Sequence, residues 1–101
     1  MALTARHNIT TVLTQNLIAA GDNAGNIKSV NLANVHDSTE VDVNLFINKD
    51  GSDFYIIKNV TIPAKTSLVI DMENISVIST AGGDSLRIKL SAAVPVDVII
   101  R

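Results

Sequence analysis

Four stretches of this chain alternate apolar and polar side chains with a period of two, and that period leaves few folds open. Val41, Val43, Leu45 and Ile47 alternate with Asp42, Asn44, Phe46 and Asn48. Leu86, Ile88 and Leu90 alternate with Arg87, Lys89 and Ser91, and Leu68, Ile70 and Met72 with Val69, Asp71 and Glu73. Val96, Val98 and Ile100 alternate with Asp97, Ile99 and Arg101. Successive side chains of a strand point to opposite faces, whereas a helical face recurs at three- and four-residue spacing, so each stretch reads as a half-buried strand. Further strands are expected at Ile9–Leu13, Ile27–Val35, Phe54–Ile62 and Ile75–Ser79. Ile27 and Val30 are out of phase for one face, which predicts a bulge or kink between them. No segment sustains helical spacing beyond a short ambiguity at Leu13–Ala20, where Leu17-Ile18-Ala19-Ala20 reads as a strand end, with a helical turn as the alternative.

Turn chemistry separates these runs. Gly21-Asp22-Asn23-Ala24-Gly25 reads as a loop, and Lys49-Asp50-Gly51-Ser52 as a hairpin turn with glycine at a positive φ. Pro63-Ala64-Lys65-Thr66 begins with a fixed φ and then turns, and Ala81-Gly82-Gly83-Asp84 leads into the Leu86 strand. Short strands with turns at this spacing suit an antiparallel β-sandwich of jelly-roll type with about eight strands. The chain of 101 residues is expected to form one domain, 1–101, with residues 1–8 as an N-terminal arm. Leu45, Ile70, Leu86, Ile88, Leu90 and Val98 are expected to face the core.

Composition narrows the function classes. The net charge of −2 gives no electrostatic footprint for nucleic acid and no basic face for an anionic membrane. No cysteine is present, which removes thiolate chemistry and disulfides. The opening MALTARHNITTVLTQNLIAAG has no continuous apolar core of a secretion signal, so a soluble, non-exported chain is expected. His7 and His36 read as solvated histidines with no nucleophile and orienting group beside them, so no catalytic residues are expected. The Asn48–Asp53 loop is rich in oxygen ligands but lacks the length and distal glutamate of an EF-hand, so no metal or cofactor is expected. Three aromatic residues and no tryptophan make a poor sugar-stacking platform.

One feature points outward. Ile56 adjoins Ile57, Val69 lies between Leu68 and Ile70, Val77 adjoins Ile78, and Ile99 lies between Val98 and Ile100. Strands apolar on both faces would expose apolar surface on a domain this small, which marks a partner site. Val94, Val96, Ile99, Arg101, Ile57 and Val69 are the candidate contacts of a homo-oligomer.

The order of these elements carries a resemblance. Leu32-Ala33-Asn34-Val35, the Val41–Ile47 strand and Ile56-Ile57-Lys58-Asn59-Val60-Thr61-Ile62-Pro63-Ala64 are its first part. Gly82-Gly83-Asp84-Ser85-Leu86-Arg87-Ile88 and the closing Val96-Asp97-Val98-Ile99-Ile100 complete it. Together they resemble small virion structural proteins of tailed bacteriophages, of the marine and cyanobacterial type, over about residues 10–100. The resemblance implies a non-enzymatic β-sandwich, made in the host cytoplasm and carried on the virion. It implies association with itself, with a trimer as the expected size, and with other virion proteins such as the major capsid protein. Capsid decoration is the expected role. The alternatives are a tail, neck or baseplate part, or a small module that binds a receptor or sugar.

Overall fold

The computed structural model describes residues 5–18, 27–72 and 83–101. Among the described residues eight strands run β1 (Ala5–Ile9), β2 (Gln15–Ile18), β3 (Ser29–Asn34), β4 (Val41–Lys49), β5 (Ser52–Ile62), β6 (Thr66–Asp71), β7 (Ser85–Leu90) and β8 (Val96–Ile100). They form two four-stranded sheets, ordered β1-β8-β3-β6 and β2-β7-β4-β5, with every pairing antiparallel. Strands adjacent in sequence fall in opposite sheets, except for the β4–β5 hairpin. This is the strand order of an eight-stranded jelly roll, two Greek keys folded over one core.

The alternation in the sequence becomes the two sides of each sheet. Val30 and Leu32 of β3, Val43 and Leu45 of β4, Leu86, Ile88 and Leu90 of β7, and Val96, Val98 and Ile100 of β8 are all buried. With Ile70 of β6 they fill the space between the sheets. Each buried Leu or Ile side chain contributes about 1.5–3 kcal/mol relative to an exposed one. Asn34 continues the inward phase of Val30 and Leu32 and is also buried.

Several expectations need correction. The first strand is Ala5–Ile9, not Ile9–Leu13, so part of the expected arm is ordered against β8. Ile9 closes that strand, and the following Val12 and Leu13 are exposed. Ile27 lies outside β3, whose pairing with β6 and β8 runs without a register shift. The bulges fall instead in the other sheet. Between the pairs Val43↔Val60 and Leu45↔Ile57, β5 carries one extra residue, and Asn59 there has φ 53°. Between Leu45↔Ile57 and Phe46↔Tyr55 it carries a second. Adjacent Ile56 and Ile57 are therefore products of a bulge, and both are half-buried. A further register shift lies in β2, where Leu17 and Ile18 are both buried. The expected strand at Ile75–Ser79, with Val77 and Ile78, lies outside the described residues.

Hairpin chemistry follows the sequence closely at β4–β5. Lys49 pairs with Ser52, leaving Asp50 and Gly51 as a two-residue loop with φ 53° and 80°. Two positive φ values make a type I′ turn, whose twist matches the flanking strands.

His7 departs from the solvated histidine expected. It lies opposite Val98 in β1, shares the inward phase, and is half-buried. Its Nε2 is buried with no hydrogen-bond partner. An unpaired buried polar atom costs about 1–3 kcal/mol. His7→Leu, which keeps much of the volume and removes the atom, should stabilise the domain by ~1 kcal/mol at neutral pH. A urea midpoint that falls instead would show that the imidazole is satisfied by water and helps to hold β1.

Candidate functional site

The jelly-roll order gathers four connections at one end of the sandwich: residues 10–14, 35–40, 63–65 and 91–95. Val35 donates its N–H to the Pro95 carbonyl at 3.2 Å, joining the second and fourth of these. Three large aliphatic side chains are exposed here: Val12, Leu13 and Val35.

The 35–40 connection is the most fully built of the four. Asn34 Nδ2 donates to the Thr39 carbonyl at 2.9 Å and to the Ile62 carbonyl at 3.0 Å. Its Oδ1 accepts the His36 N–H at 3.0 Å. A side chain of β3 thus holds the end of β5 in the opposite sheet and shapes the loop between them. His36 then turns back on its own backbone: Nδ1 accepts the N–H groups of Ser38 at 3.1 Å and Thr39 at 3.0 Å. His36 is half-buried and structured, not the freely solvated histidine expected.

The outer face of the β1-β8-β3-β6 sheet holds the second candidate. Register places Arg6, Ile99, Asn31 and Val69 in one row across the four strands. Val69 is 64% exposed and Ile99 is half-buried. The next row is Asn8, Asp97, Ala33 and Ser67, in which Asn8 Nδ2 donates to Asp97 Oδ1 at 2.7 Å. Ala33 and Ser67 are thus the short neighbours of Val69 and Ile99 in this second row, while the long side chain of Arg6 stands beside Ile99 in the first.

Not all six expected contact residues lie on this face. Val69 and Ile99 do, and Arg101 is exposed beside it at the end of β8, where its N–H donates to the Ser29 carbonyl. Val94 and Val96 are buried, 4% and 0% exposed, because both belong to the core cluster. They cannot touch a partner while the domain is folded. Ile57 is half-buried against the core on the other sheet, at a β5 bulge, and cannot share a contact with Val69.

The outer face of the β2-β7-β4-β5 sheet is of a different kind. Tyr55 packs on Phe46 with ring centroids 5.2 Å apart, and Lys58 Nζ lies 4.9 Å from the Tyr55 centroid. Arg87, the other cross-strand neighbour of Phe46, donates from Nε to Ser85 Oγ at 3.1 Å. Around them Asn48 Nδ2 donates to Asp53 Oδ1, Thr61 Oγ1 donates to Asp42 Oδ1, and the Asn59 N–H donates to Asn44 Oδ1. These polar groups are satisfied by one another, and Tyr55 is already engaged by Phe46 and Lys58. Phe46 takes the outward phase, as its sequence position requires, and is nonetheless only 4% exposed.

Among the described residues, no group of three or more His, Asp or Glu side chains comes together in a way that could hold a metal ion. Asp53, in the oxygen-rich loop, has an oxygen committed to Asn48.

No family model matches this sequence, and no curated protein matches it at a significant level. Among solved structures the chain is similar to the Anabaena sensory rhodopsin transducer. The two share 12% sequence identity at a TM-score of 0.45, over 100% of this chain and 98% of that one. A likeness of that level carries no argument about ligand or partner.

Proposed function

We propose that this chain is a non-enzymatic structural protein of a tailed-phage particle, a capsid decoration protein that works by associating with itself and with the capsid. The observation that supports this reading most is the outer row of the β1-β8-β3-β6 sheet, where Val69 and Ile99 project from different strands on either side of Asn31. Jelly rolls serve as capsid and lectin domains alike, so the fold does not choose between them. The chemistry of the face favours packing against another protein: two branched aliphatics stand beside Ala33 and Ser67, which are too short to obstruct a flat partner.

Apolar area hidden from water contributes ~25 cal/mol per Å². A stable interface must outweigh the entropy lost on association, which generally requires at least ~1,000 Å² in total. One row of side chains is therefore the centre of an interface and not its whole extent. A trimer fits the threefold positions of a capsid lattice, and a tail or neck part is the runner-up placement.

Light scattering on concentrated protein should return a multiple of the 10.7 kDa chain mass. Val69→Asp and Ile99→Asp should each shift it toward the monomer with melting temperature changed by only a few degrees. A monomer at all concentrations would remove self-association from the reading. Mass spectrometry of phage particles from the source of this chain tests the virion assignment separately.

A further inference from the structure

We propose that His36 is an acid-sensitive latch that orders the 35–40 connection at the loop end of the jelly roll. The geometry carries it. The Ser38 and Thr39 backbone N–H groups both point at His36 Nδ1, at 3.1 and 3.0 Å. Backbone amides can only donate, so Nδ1 must present its lone pair, and the ring proton of the neutral imidazole sits on Nε2. When a proton from solvent binds Nδ1, that nitrogen becomes a third donor facing two others. Both hydrogen bonds are lost together, and the turn at Asp37–Ser38 loses its internal support.

The latch has a fixed hinge on one side. Asn34 is buried and holds the His36 N–H, the Thr39 carbonyl and the Ile62 carbonyl, and none of these contacts involves a titrating group. The change is thereby confined to the loop between the two anchors, and the sandwich beneath it has no reason to open. Protonation of Nδ1 and its two hydrogen bonds exclude one another, so the loop is ordered where Nδ1 carries no proton and is released in the acid direction.

The surrounding charges are few. Asp37 and Glu40 belong to the loop itself, and Lys65 lies in the 63–65 turn at the same end. The neighbouring connections 10–14 and 91–95 contain no titratable side chain. Carboxylates ordinarily titrate near pH 4, so a scan from pH 8 to 5.5 reports mainly on imidazole. His7, the other histidine, lies on β1.

The test is amide NMR on the full chain across that range. The Ser38 and Thr39 amide resonances should move with one shared midpoint, equal to that of the His36 ring signals. Their hydrogen-exchange protection should fall at least tenfold between pH 8 and 5.5, while Leu45 and Ile88 keep theirs. In His36→Ala the Ser38 and Thr39 amides should be unprotected throughout and show no pH-dependent shift across the scan. In His7→Leu the original titration should persist. Unchanged Ser38 and Thr39 protection at pH 5.5, or a titration that survives His36→Ala, overturns the latch.

Discussion

Asn34→Ala should destabilise the domain by ~2–4 kcal/mol, a large effect for a polar residue in a single domain. Asn34 is 1% exposed and makes three hydrogen bonds to backbone groups. Truncation leaves the Ile62 carbonyl unpaired between the sheets, and an unsatisfied buried group costs about 1–3 kcal/mol. The His36 N–H and Thr39 carbonyl lose their partner as well, although both lie near enough to solvent to recover part of the loss. Chemical denaturation measures the sum. A loss below ~0.5 kcal/mol would mean that water replaces the amide and that the link between the sheets is not structural. Thr39→Ala, which leaves the accepting carbonyl in place, is the control and should change little.

Leu45→Ala and Ile88→Ala should each cost ~2–5 kcal/mol, the usual range for emptying a packed core position. The two residues pair across β4 and β7, and both are 0% exposed. Lys89, the next residue along β7, is exposed, and Lys89→Ala should stay within ~0.5 kcal/mol. The contrast between neighbours is the sharper test. A one-residue slip of β7 would send Lys89 inward and Ile88 outward, so equal losses at the two sites would refute the register.

The sandwich was legible because its core strands are amphipathic and regular. Leu86, Ile88 and Leu90 declare their face without reference to anything distant. The true place of β1 is hidden because Ile9 and Leu13 look like a strand from their side chains alone. Ala5–Ile9 is chosen by pairing with β8, some ninety residues later in the chain. Val96 cannot be a contact, since its alternation with Asp97 sets it beside Val98 in the core. The Phe46–Tyr55–Lys58 cluster was not foreseeable, since two bulges decide which β5 residue meets Phe46. Asn34 could have been found. It sits in the inward phase after Val30 and Leu32, and a polar residue in an apolar phase implies a buried hydrogen-bonding duty. Nothing local announces that its partner is the Ile62 carbonyl in the opposite sheet.

The two extra residues of β5 have a further consequence, for what the protein must avoid. Among the described residues β5 is the border strand of its sheet and is eleven residues long, so a regular β5 would offer a long ladder of unpaired backbone groups to any strand nearby. Bulges near Asn59 and Ile56 interrupt that ladder and increase its twist, so a second border strand cannot lie flush along it. Open-ended strand-to-strand stacking between copies of this chain is thereby disfavoured. Deleting Asn59 would restore a straight ladder there and keep Val60 opposite Val43 and Ile57 opposite Leu45, at the loss of the hydrogen bond from the Asn59 N–H to Asn44 Oδ1. The shortened protein should still fold, but it should aggregate on storage where the parent stays clear.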